Sequence, residues 1–134
     1  MDDLVQFLKK RLAEDEAIAA APTKATWATA EWRFAEVAGD PIVDLGTNQL
    51  TRVSSLNKQE MQHIARHDPA RVLAEVSAKR ELLNRYEYPE ASEALPPSMN
   101  RLTASVERAV LDLAFRYLAL PYADHPDYRG TWRP

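Results

Sequence analysis

The chain has no cysteine and only three glycines among its 134 residues. Without thiols it can form no disulfide framework, no thiolate metal site and no cysteine nucleophile, and it suits a reducing cytoplasm. Three scattered glycines leave no glycine-rich phosphate loop. No apolar run approaches the roughly 18 residues that a membrane span needs. Met1 is followed by Asp2 and Asp3 rather than by a basic segment, which argues against a signal peptide. Positive charge is not in excess either. Seventeen basic against 20 acidic residues give a net charge of −3, so nothing general draws the chain to nucleic acid or to an anionic membrane.

What remains is the composition of an ordinary folded domain, 46% hydrophobic and 28% charged, long enough for one domain over 1–134 with a modest core. Local signals divide it. Leu4, Phe7, Leu8 and Leu12, with Ile18 near the end, line one face of a helix from Asp3 to about Ala21, and Pro22 ends it. Lys9, Lys10 and Arg11 followed by Glu14, Asp15 and Glu16 read as its solvated outer face. From Trp27 to Val53 the period changes to two. Trp32 to Val37 alternates, Ala38-Gly39-Asp40-Pro41 reads as a turn, Ile42 to Leu45 as a second strand and Gln49 to Val53 as a third. That is a small antiparallel meander, which needs helices over one face to be stable. Trp27 and Trp32 there suit core or edge packing better than ligand stacking.

The middle of the chain carries the clearest punctuation. Asn57-Lys58-Gln59-Glu60 has the form of a capping box and opens a helix through Met61, Ile64 and Ala65. Asp68-Pro69 predicts a break followed by a new helix to about Tyr86, with Asp68 as N-cap and Pro69 at N1. Val72, Val76, Leu83 and Tyr86, widened by Leu73 and Leu82, form its apolar stripe. Glu87 to Pro97, with three prolines among acidic residues, reads as a surface loop. Ser98 to Leu120 is the last helix. Leu102, Val106, Ala109, Val110, Leu113, Tyr117 and Leu120 form one apolar face, read as the one turned to the core, and Leu111, Phe115 and Leu118 form a second. A helix apolar on two sides is either central or meets another molecule. Leu111, Phe115 and Leu118 are therefore candidate interface residues, for a protein partner or a homo-oligomer. The internal alternative covers them with the first helix or with the tail, Trp132 acting as the lid. The tail itself, rich in Tyr122, Tyr128 and Trp132, should be packed down.

Two further constellations carry possible chemistry. His63 and His67 lie one helical turn apart, and His125, flanked by Asp124 and Asp127, is the only third histidine. Together with Asp124 or Asp127 they could bind zinc, nickel or another divalent cation through nitrogen and oxygen ligands. The sequence H-I-A-R-H puts Ile64 where a zinc protease needs its Glu, so this is no protease motif, and the plainer reading is a pair of partly buried structural imidazoles. Arg66, Arg71, Lys79, Arg80 and Arg85 form the only cluster suited to nucleic acid, and net acidity counts against it. No nucleophile is paired with a base, so no catalytic residue is assigned.

Three blocks are distinctive: HIARHDPARVLAEVSAKRELL from His63 to Leu83, LALPYADHPDYRGTWRP from Leu118 to Pro134, and MDDLVQFLKKRLAEDE from Met1 to Glu16. In them the chain resembles a family of small uncharacterised actinobacterial and actinophage proteins, a domain of unknown function. The blocks cover about two-fifths of the chain. The resemblance implies an architecture and a host class but no activity. Relatives commonly have a Pro-Gly-Pro-Trp-like turn where this chain has Pro22 to Trp27, and often carry cysteines before the last helix, which this chain lacks; that weakens a metal site here. The reading is an α+β domain: an N-terminal helix, a small antiparallel β-meander, then three C-terminal helices with a packed irregular tail. The expected function is that of a small non-enzymatic cytoplasmic interaction protein of the accessory kind found in phage-related gene sets.

Overall fold

The computed structural model describes residues 1–24, 29–46, 50–51 and 56–134. The fold is α+β. Helix α1 spans Asp2–Ala20 and passes into a 3-10 turn at Ala21–Lys24. Strands β1 (Arg33–Val37), β2 (Asp40–Asp44) and β3 (Leu50–Thr51) follow, then α2 (Lys58–Arg66), α3 (Pro69–Glu87) and α4 (Pro97–Ala119). Two 3-10 turns, Leu120–Tyr122 and Gly130–Trp132, shape the tail. The chain divides into two compact units, Glu14–Ser77 and Met1–Ala13 with Ala78–Pro134.

In the unit Glu14–Ser77, β1, β2 and β3 form an antiparallel sheet in sequence order. The β1–β2 turn is tighter than the sequence suggested. Only Ala38 and Gly39 turn, at φ 52° and 83°, while Asp40 and Pro41 already belong to β2 and pair with Val37 and Glu36. Positive φ at both central residues is the twist-matched two-residue hairpin. Pro41 is tolerated because it falls at a position whose amide points away from β1, and β3 reaches only Val43 and Asp44. Of the expected third strand only Leu50–Thr51 is strand among the described residues, and Trp27 lies outside them. Gly46, at φ +111°, tolerates no side chain, since a Cβ there would strike Thr29. Thr29 is fixed in turn by donating to the Glu31 carbonyl at 2.8 Å.

Helix α2 covers this sheet. Val43, Met61 and Ala65 are buried together, with Trp32, Phe34, Leu45 and Leu56 packed against them. Trp32 thus packs, and its indole Nε1 donates to the Thr29 carbonyl at 3.2 Å. The capping box is formed as read: the Glu60 amide donates to Asn57 Oδ1 at 2.9 Å and the Asn57 amide to Glu60 Oε2 at 2.7 Å. Asp68 does more than cap. Its Oδ1 accepts from the Arg71 amide at 2.8 Å, and its Oδ2 accepts from the Trp32 amide at 3.0 Å, tying the start of α3 to the approach to β1. The Ala70 amide adds a bond to the Ala30 carbonyl at 2.9 Å.

In the other unit, Leu4, Val5, Phe7, Leu8 and Leu12 of α1 are buried, as are Leu83 of α3 and Leu111, Phe115 and Ala119 of α4. The tail is packed down by aromatics. Phe7 meets Trp132, His125, Tyr128 and Tyr122 at centroid distances of 5.1, 5.7, 6.1 and 6.2 Å. Arg11, read as part of a solvated charge run, is instead buried, its guanidinium 5.5 Å from the Phe7 ring centroid and bonded to His125. Arg85 bridges Glu90 and Glu107, and these hydrogen bonds, Glu90 foremost, raise its pKa further. Asn100 closes the loop before α4, accepting from the Ser92 amide and donating to the Ser92 carbonyl, both at 3.0 Å.

Candidate functional site

Helix α4 starts at Pro97, which occupies N1 where no amide is needed, and runs 23 residues without an internal glycine or proline. Its two apolar stripes lie on opposite sides at ~100° per residue, and the structure exchanges the roles read for them. Phe115 is completely buried, edge-on to Tyr86 with centroids 5.4 Å apart, and Leu111 and Ala119 are buried beside it. Leu118 is half-buried. Leu111 and Phe115 are therefore core, not the external contact residues expected. The stripe read as core is the exposed one. Leu102 is 58% exposed, Val106 57%, Val110 64%, Leu113 52% and Tyr117 57%, with Met99 and Leu120 extending the row at either end. Periodicity finds both stripes equally well. Which of them is covered is decided by elements far away in sequence.

The rim of the exposed stripe is chemically quiet. Ser98, Ser105 and Ala109 lie along one side and Thr103 and Ala114 along the other, so over an arc of ~180° the single charged side chain is Arg116. Arg116 is held against the helix by Asp112 at 3.1 Å and the Thr131 carbonyl at 3.2 Å. An exposed row of large aliphatic side chains without interspersed charge is unlike a solvated helix face, which alternates apolar and charged positions.

His63 and His67 belong to the unit Glu14–Ser77, and His125 and Asp124 to the other. His63 and His67 are both exposed, their rings tilted at 36° with centroids 4.4 Å apart, and His67 Nδ1 lies 3.2 Å from the His63 carbonyl oxygen. His125 belongs to the tail cluster. Both of its ring nitrogens have neighbours there, Nε2 facing the Arg11 guanidinium and Nδ1 lying 3.1 Å from the Asp127 amide. Asp124 is exposed. Among the described residues no group of three or more His, Cys, Asp or Glu side chains is arranged to hold a metal ion.

The basic residues of α3 are engaged as well. Arg71 pairs with Glu75 at 2.9 Å, Arg85 with Glu90 and Glu107, and Lys79 and Arg80 also have partners. Several open recesses lie on the surface, among them one of about 420 Å³ lined by Asp2, Tyr86, Glu87, Tyr88 and Arg108, and two more. Of these two, the first, of about 410 Å³, is lined by Asp3, Gln6, Phe7, Lys10, Tyr128 and Arg129 among others; the second, of about 350 Å³, by Asp15, Ile18, Trp32, His67, Pro69 and Val72 among others. Neither sets a nucleophile against a base. Ile18, expected on the buried face of α1, is instead 72% exposed at the second recess. No described helix is long and apolar enough to cross a membrane.

Compared with known proteins, the chain matches over residues 1–134 the model of DUF6221, a family of unknown function, and belongs to that family. No curated protein and no solved structure matches it.

Proposed function

We propose that this DUF6221 chain is a protein-interaction module whose contact surface is the outer face of α4, from Met99 to Leu120. One observation carries the reading: a row of seven large apolar side chains, each 38–64% exposed, on a single helix face. Burying each of them on a partner would recover about 1.5–3 kcal/mol if fully achieved, a strong drive to association. The plain composition and the resemblance carried by HIARHDPARVL and LALPYADHPDY lead us to read it as an accessory protein of the cytoplasm, in actinobacterial and phage-related gene sets.

A photo-crosslinking residue at Val110 tests this in cells that carry the gene. Discrete protein adducts are expected there, lost when Leu113→Glu is added, and absent from the same probe at exposed Glu93. If Val110 gives no adduct, or gives the same ones with Leu113→Glu, the face is not a contact surface.

A further inference from the structure

The occupant of this face can be named from its own chemistry. Resting on the reading of α4 as a contact surface, we propose that the partner is a second copy of this chain, seated antiparallel with the two α4 helices face to face across a two-fold axis.

Three features favour it. The row Met99, Leu102, Val106, Val110, Leu113, Tyr117 and Leu120 advances by three and four residues, the spacing with which two helices interlock along a seam. Its exposed area amounts to roughly 700 Å² per copy, close to the ~800 Å² per partner of a standard stable interface. A two-fold pair uses the same patch twice, so one face supplies both sides of the contact.

The direction follows from charge and size. Two identical stripes overlap most when their midpoints coincide, which puts Ala109 and Val110 at the axis. There the small Ala109 lets the helices approach. Val106 then stands level with Leu113 of the second copy, Leu102 with its Tyr117, and Met99 with its Leu120. Arg116, the one charge in the arc, falls beside an uncharged Thr103. In a parallel pair Arg116 would meet Arg116, a like-charge contact at a position that wants an apolar side chain.

The absence of native cysteine makes the test clean, because any disulfide must come from an introduced thiol. Sedimentation of the purified protein at micromolar concentration should give twice 15.2 kDa, and Leu113→Glu should return it to 15.2 kDa with helicity unchanged. Val106→Cys and Leu113→Cys chains, mixed and oxidised, should form a covalent pair that neither forms alone. Pairing of each single variant with itself means a parallel seam and overturns the antiparallel arrangement. A mass of 15.2 kDa at every concentration overturns the second copy. Adducts to a different protein at Val110 would then leave the contact surface standing, and no adduct would remove both.

Discussion

Asp68→Ala tests the junction between sheet and helix most directly. The carboxylate is half-buried and serves two amides with separate oxygens, Arg71 at 2.8 Å and Trp32 at 3.0 Å. Loss of an N-cap acceptor costs about 1 kcal/mol. Leaving the Trp32 amide without its acceptor adds about as much, since a hydrogen bond to a charged group is stronger than the average one. Asp68→Ala should therefore destabilise by about 2 kcal/mol. Asn caps as well as Asp, but it offers only one oxygen. Asp68→Asn should keep the Arg71 bond, lose the Trp32 bond and cost about 1 kcal/mol. Urea unfolding followed by circular dichroism gives both values, provided the slope against denaturant is shared with the parent. A loss below about 0.3 kcal/mol for Asp68→Ala would refute the reasoning, and equal losses for both variants would show that the cap contributes nothing of its own.

Phe115→Ala removes a fully buried ring and should cost about 3–5 kcal/mol. A thermal melt within a few degrees of the parent would return the inner face of α4 to the surface. Tyr86 has its pKa raised, first by burial and then by the charges of Asp112 and Asp2, with Arg108 opposing. The folded state thus holds that proton more tightly than the unfolded chain. The stability this contributes is complete below the ordinary tyrosine value of about 10 and is lost as pH rises through the folded value. Tyr86→Phe should flatten the alkaline fall in unfolding free energy, and an identical fall in parent and variant would dismiss the link.

The punctuation of the fold was legible in the residues. Asn57 to Glu60 and Asp68-Pro69 announce helix starts because a cap is settled between a side chain and amides three residues away. The strand alternation of Trp32 to Val37 and the aromatic tail were equally readable, since period and composition are local properties. The limits of β2 were less so. Whether Pro41 turns or extends depends on which way its missing amide would point, and that is a matter of register with Glu36.

Two matters belonged to the tertiary structure alone. Arg11, with its run of charges, reads as solvated; its spacing from Leu4, Phe7 and Leu8 puts it on the buried face, but does not say what receives its charge there. His125, 114 positions away, brings a ring nitrogen to Arg11, and the Phe7 ring centroid lies 5.5 Å from its guanidinium. The two stripes of α4 are the second. Helical geometry determines that Leu111 and Phe115 share one side and Leu102, Val106, Val110 and Leu113 the other. It cannot rank them, because burial is a property of what lies opposite. Tyr86 meets Phe115, while the longer and more regular stripe is left facing out.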